Sequence, residues 1–190
     1  MNMRDYAILA SIAHEPKSGY DLTKWFNQVA SHFCPAGYSS VYPALSRFES
    51  GDLVEYDTVP SEKGPKHKVY SITQKGKQAL VRWASEPAAD PQTRDEQLVK
   101  ALSYGMLPPD RALTLLEEAR ERHANRLAYF EELERRLEVR LREGSISEEA
   151  HLGTLLVLRR GINAERCYAE WCEEAGELVS STKRLRAEAP

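Results

Sequence analysis

Cysteine is scarce in this chain. Cys34, Cys167 and Cys172 are the three among 190 residues, too few and too irregularly spaced for a disulfide framework. Cys167 and Cys172 fall about 140° apart around a helix, so they do not converge on one metal ion. No apolar run approaches the roughly 20 residues that cross a bilayer. The start, M-N-M-R-D, lacks a signal-peptide pattern. These absences predict an intracellular, soluble, cytoplasmic protein with no membrane partner. There is also no Gly-rich phosphate loop, no nucleophile motif and no metal triad. The expectation is therefore no enzyme, no metal and no cofactor. Acidic residues such as Glu117, Glu118, Glu131 and Glu132 fit solvated helix faces.

A strong excess of one charge is missing as well. The net charge is -3, with 42% hydrophobic and 29% charged residues, so a nucleic-acid role cannot rest on bulk positive charge. Local distribution carries more. From Ser61 to Trp83 six basic residues (Lys63, Lys66, Lys68, Lys75, Lys77, Arg82) face one acidic residue, Glu62. A basic patch on an otherwise acidic protein can orient it on DNA; alone, it could equally be a solvated lysine-rich turn.

The first half predicts helices and a wing. Ile8, Leu9 and Ile12 make one stripe over 5–13, which Pro16 ends. Ser18 is placed to cap a second helix with Leu22, Trp25, Phe26 and Val29 inward. A third helix starts near 38–40 with Val41, Leu45 and Phe48 inward, and Gly51 supplies its stop. Two strands, 53–59 and 68–72, follow, joined by a 60–67 loop longer than a tight hairpin needs. Thr73 caps a fourth helix that Pro87 closes.

Beyond a linker at 88–91 the chain predicts helix throughout. A helix over 94–104 precedes a long one capped by Asp110. In that long helix Leu113, Leu116, Ala119, His123, Leu127, Phe130, Leu133, Leu137 and Leu141 recur with a mean step of about 3.5 residues, a coiled-coil seam. At about 1.5 Å per residue it spans about 50 Å, too long for one small core to cover. Gly144 ends it, and Ser145 or Ser147 starts a last, antiparallel helix. The expected dimerisation residues are Leu113, Leu116, Leu127, Phe130, Leu137 and Leu141, with Leu155, Ile162 and Trp171 on the last helix.

The fold class is thus mainly α with a small β-wing: a winged helix-turn-helix over 1–87 and a helical dimerisation domain over 92–190. Hydroxyls at a helix start can reach phosphates and base edges. Tyr38, Ser39, Ser40, Tyr42 and Arg47 are the candidate DNA contacts of the third helix, with Lys24 on the second and Lys63, Lys66, His67 and Lys68 on the wing. The serines could instead only cap the helix, Tyr42 could pack against the wing, and Arg47 could be solvated. Gly19 suits a close approach, Tyr20 is expected to pack between helices, and Trp25, Phe26 and Trp83 belong in the core. Tyr104, Tyr129, Tyr168 and Trp171 are candidates to line a ligand cavity.

Three segments resemble the PadR family of transcriptional regulators: S-G-Y-D-L at Ser18–Leu22, V-Y-P-A-L-S-R-F-E-S-G-D-L-V-E at Val41–Glu55, and K-V-Y-S-I-T-Q-K-G at Lys68–Gly76. The long helical half resembles the family's larger, AphA-like subgroup. The resemblance implies a homodimeric repressor on double-stranded, palindromic operator DNA, with half-sites about 34–36 Å apart, and in some members a small aromatic effector. Phe48, where leucine is usual, and the Ser39–Ser40 pair depart from the family pattern, so base preference does not carry over. The competing reading is a helical protein–protein interaction module whose wing binds an acidic surface.

Overall fold

The computed structural model describes the backbone of residues 1–28, 41–61, 64–90 and 95–187, without side chains at 27, 28, 61, 64, 65 and 183–187. It divides into two compact units, Met1–Ala89 and Asp90–Pro190.

The first unit opens with α1, Met3–His14. Asn2 and Asp5 form a reciprocal capping box, each side chain accepting from the other's backbone N–H at 3.0–3.1 Å. β1 is only Lys17–Ser18, and α2 follows directly as Gly19–Gln28. Ser18 does cap α2: its Oγ accepts from the Asp21 N–H at 3.1 Å and donates to the Asp21 carboxylate at 2.6 Å. It also pairs with Val69, which no periodicity could signal in a two-residue strand. α3 is Val41–Ser50, β2 Val54–Ser61, β3 Gly64–Ile72 and α4 Gln74–Ala84. The sheet is antiparallel in the order β1-β3-β2.

One core joins these elements. Ile8, Leu9 and Ile12 of α1 meet Leu22 and Phe26 of α2, Val41, Ala44, Leu45 and Phe48 of α3, and Val54 and Tyr70 of the sheet. Each fully buried aliphatic or aromatic side chain there contributes about 1.5–3 kcal/mol. Trp25 packs at the rim. Trp83 does not join the core: it is exposed and stacks on Tyr6 at 4.3 Å, nearly parallel. It continues the inward stripe of Gly76 and Leu80 but meets Tyr6 of α1 instead of the core cluster.

Two local expectations change. The wing's strands run to Ser61 and from Gly64, so most of the supposed 60–67 loop is ladder, with an irregularity between Val59 and Ser61 where Pro60 lacks an N–H. The stop of α3 is a Schellman motif: Leu53 N–H donates to the Phe48 carbonyl and Asp52 N–H to that of Glu49. The left-handed residue is Asp52, at φ 55°, rather than Gly51.

The second unit begins with α5, Glu96–Ala101, whose backbone N–H groups at Gln97 and Leu98 donate to Asp95. A 3-10 turn at Tyr104–Met106 leads to α6, Pro109–Arg142. Pro108, not Asp110, holds the cap position; Pro109 starts the helix and Asp110 lies in its first turn. Gly144, at φ 68°, ends α6. Ser147 caps α7, Glu148–Ala187, a helix of 40 residues.

That length matters. α7 lies antiparallel to α6 and covers the seam from within the chain. Phe130 and Leu137 pack with Leu158 and Ile162, and Leu127, Leu133 and Leu155 surround them. Nearer the other end, Tyr104, Ala112 and Leu116 pack with Trp171, Ala175 and Val179. Between the two clusters His123 Nδ1 meets Glu165 Oε2 at 2.5 Å, and the His123 ring stacks on Tyr168 at 3.8 Å. No helix among the described residues is long and apolar enough to cross a membrane.

Candidate nucleic-acid interface

α3 has one buried and one open side. With Val41, Ala44, Leu45 and Phe48 inward, Tyr42, Ser46 and Arg47 face solvent. A helix fixed by four core side chains and stopped by a Schellman motif can present its outer face with little freedom. Tyr38, Ser39, Ser40 and Lys63 lie outside the described residues.

Tyr42 rests over the start of α2. A Cβ at Gly19 would stand 2.8 Å from its Cε1, so a side chain there would evict the ring. The close approach expected at Gly19 is therefore made to Tyr42, which packs on α2. Tyr20, expected between helices, is instead 68% exposed on α2, and Lys24 is exposed on the same helix.

Arg47 is not simply a solvated charge. Its guanidinium bonds Asp5 Oδ1 at 2.5 Å, while Asp5 Oδ2 accepts from the Asn2 N–H. The Asp5 carboxylate is 7% exposed and Arg47 55%, so one end of the guanidinium is tethered to α1 and the rest is open.

On the wing, Lys66 and His67 are exposed. Lys68 is engaged from two sides. Its Nζ lies 2.9 and 3.2 Å from the two Glu49 carboxylate oxygens and 3.7 Å from the centre of the Tyr56 ring. Tyr70 Oη donates to Glu49 at 2.9 Å. The Lys68 hydrogen bond holds the Glu49 carboxyl below its ordinary value, and Glu49 in turn raises Lys68. Burial first, and then the bond to Glu49, push the Tyr70 hydroxyl up to about 12. The sequence places Tyr56 and Tyr70 only on strand faces and gives Glu49 and Asp5 no role at the interface: Glu49 and Tyr70 are 21 residues apart, a separation that no local pattern marks.

In the second unit Leu116, Phe130, Leu137 and Ile162 are buried inside the chain's own helix pair, and Leu113, Leu127, Leu141, Leu155 and Trp171 are partly covered. Open apolar positions include Leu98 and Val99 on α5, Leu102 at its C-cap, Met106 after it, Val139 on α6, and Leu152, Leu156, Val157 and Leu178 on α7. Tyr104 and Trp171 line a cavity of about 280 Å³ with Leu107, Leu116, Ala175 and Val179. Tyr168 is taken up by His123, and Tyr129 is exposed. Among the described residues no group of three or more His, Cys, Asp or Glu side chains could hold a metal ion.

Comparison with known proteins agrees with this geometry. Residues 8–82 match the model of the transcriptional regulator PadR-like family, and residues 93–180 that of the virulence activator alpha C-terminal domain. The chain is 28% identical to a probable transcriptional regulator of Mycobacterium tuberculosis, over 94% of this chain and 98% of the relative. It is 27% identical to the negative transcriptional regulator PadR of Bacillus subtilis, again over 94% and 98%. The structure of that PadR in complex with operator DNA superposes with a TM-score of 0.77, at 26% identity over 94% of this chain and 98% of that one. The Vibrio cholerae virulence activator AphA gives 0.65, at 26% identity over 94% and 98%. A PadR-like winged unit joined to a virulence-activator helical unit makes this chain a member of the PadR family of transcriptional regulators, in its larger subgroup.

Proposed function

We propose that this protein is a sequence-specific DNA-binding transcriptional regulator, a repressor acting as a homodimer in the cytoplasm, with no catalytic role. The observation that carries the reading is α3: four inward side chains anchor it, Tyr42, Ser46 and Arg47 point outward, and a lysine-bearing wing lies beside it. A relative with the same fold was solved on operator DNA, and its name as a negative regulator supports repression. We assign the DNA contacts to Tyr42, Arg47, Lys24, Lys66 and His67 among the described residues, together with Tyr38, Ser39, Ser40 and Lys63 from the sequence.

Dimerisation uses the apolar positions that the single chain leaves open on α5 and α7, rather than the seam that α6 and α7 bury between them. Two copies then present two α3 helices to successive major grooves of a palindromic operator. A small aromatic effector fits the cavity between Tyr104 and Trp171; aromatic walls favour a flat ligand. Gel-shift and footprinting on the DNA upstream of its own gene test the central claim. A protected palindrome with half-sites about one helical turn apart is expected. Salt-sensitive binding with no preferred fragment would overturn it in favour of an interaction module.

A further inference from the structure

Lysine on a wing is ordinarily read as a phosphate contact, and Lys66 and Lys68 look equivalent in the sequence. The structure separates them. An ammonium has three N–H donors. Lys68 makes two bonds, one to each oxygen of Glu49, with the Tyr56 ring packed on the same head and the side chain 41% exposed. A phosphate approaching this ammonium would meet the Glu49 carboxylate beside it, and like charges at that range repel.

Glu49 lies on the last turn of α3, and Tyr70, its other partner, is buried in the core of the first unit. The register sets Tyr56 opposite Tyr70 and Thr58 opposite Lys68. Two successive same-face rungs of the wing are therefore fastened to one carboxylate of α3. Beyond those rungs the wing carries Lys66 and His67, both exposed.

We infer that Lys68 is a positioning residue: with Glu49, Tyr70 and Tyr56 it fixes the angle between the wing and α3, and Lys66 supplies the phosphate contact. The inference rests on the DNA-binding reading above and deepens it. The tie makes the spacing between the helix in the major groove and the wing on the backbone a built-in property of the first unit.

The test uses the full chain and the DNA fragment upstream of its own gene. Affinity is measured against salt for Lys66→Met, Lys68→Met, Glu49→Gln and the Glu49→Gln/Lys68→Met double variant. One phosphate contact accounts for a slope of about -0.9 in log affinity against log salt. Lys66→Met is expected to flatten the slope by about 0.9. Lys68→Met and Glu49→Gln are each expected to weaken binding about tenfold, a scale typical of coupled neighbours, with the slope unchanged. The double variant is expected to be no weaker than the weaker single, and Lys68→Arg, which keeps the charge beside Glu49, to restore binding.

A slope flattened by Lys68→Met, or tighter binding in Glu49→Gln, overturns the inference, because either result means that Lys68 reaches DNA. A double-mutant cycle in thermal unfolding gives a readout independent of DNA. Additive effects of the two substitutions there also overturn it. If the wild type prefers no fragment while the cycle shows coupling, the functional reading fails and the DNA-positioning role with it, leaving only the helix–wing tie.

Discussion

Arg47 of α3 and Asp5 of α1 are joined by a 2.5 Å contact across 42 residues of sequence. Asp5 already closes the cap of α1 through its other oxygen. One buried carboxylate therefore links the start of the first helix to the outer side of the third. On the far side of α3, Glu49 makes the corresponding connection to the wing. The C-terminal turn of the helix is held at both flanks by pairs far apart in the chain.

Arg47→Ala leaves the Asp5 carboxylate buried without its cation. Hydrogen bonds to charged groups are worth about 1.5–3 kcal/mol, and the half-exposed guanidinium lowers that figure, so a loss of about 1–2 kcal/mol is expected in urea unfolding. Arg47→Lys should recover part of that loss, since the contact uses a single guanidinium nitrogen and an ammonium keeps the charge. Wild-type stability in Arg47→Ala would show that the pair contributes nothing.

Asp52 occupies a left-handed conformation that costs non-glycine residues about 1–2 kcal/mol. Asp52→Gly relieves that strain, offset by the backbone freedom glycine has when unfolded. A gain of up to about 1 kcal/mol is expected, because the exposed pair with Lys75, at 3.8 Å, is weak. Chemical denaturation measures it; a drop in stability would mean that the Asp52 side chain holds the turn.

Two Gly→Ala substitutions should differ sharply. At Gly76 a Cβ would stand 2.2 Å from the Leu53 backbone oxygen and 2.8 Å from Ile72 Cγ1. Overpacking of this kind costs about 1–3 kcal/mol or more. At Gly19 the obstructing group is the end of the exposed Tyr42 ring, which can swing away. Gly19→Ala is expected to leave thermal stability within about 1 kcal/mol and to weaken DNA binding by displacing Tyr42. Equal thermal losses at the two positions would refute the distinction.

Leu102 is 87% exposed. Leu102→Glu should leave the helix content intact and shift sedimentation toward the monomer. Leu137→Ala, inside the α6–α7 pair, should instead cost about 2–5 kcal/mol of stability. A Leu102→Glu protein that sediments like the wild type would remove α5 from the interface.

Alkaline titration reports on the wing. The folded value of Tyr70, about 12, exceeds its ordinary 10.0. Its contribution to stability is therefore complete below pH 10 and is lost as pH rises through about 12. Glu49 has the opposite sign: its lowered value gives stability above its ordinary 4.5, lost as pH falls through the folded value. In ultraviolet titration, Tyr70→Phe should remove one late-titrating tyrosine. Glu49→Gln should move that group only part of the way back, because burial is the larger cause. An unchanged late component in Tyr70→Phe would contradict the assignment.

The helices were legible because their apolar spacing is strong: Ile8, Leu22, Leu45 and Phe48 all turn inward as the periodicity of their segments requires. Ser18 and Thr73 were legible as caps for the same local reason. The antiparallel pairing of α6 with the last helix is legible from the short connection, but spacing alone does not say which seam residues the pair buries itself, and Phe130, Leu137 and Ile162, expected at a dimer interface, pack within the chain. Trp83 and Tyr20 show the limit of residue type as a guide to burial. Helix phase puts Tyr20 on a surface, whereas Trp83 keeps the inward phase of Leu80 and still stays partly open, stacked on Tyr6. The links that matter most at the interface, Arg47 to Asp5 and Lys68 to Glu49, join residues on different elements and leave no mark in either segment.

The wing's two prolines have a further consequence. Among the described residues β1 pairs with β3 only beside Val69 and Tyr70, so toward its tip the ribbon's outer edges have no strand partner. An uncovered edge of that kind recruits foreign strands and seeds aggregates. Pro60 and Pro65 delete amide donors from those margins, and the charge of Lys66 discourages an incoming peptide. The ribbon can thus remain unsheathed while it waits for a ligand, even in concentrated solution.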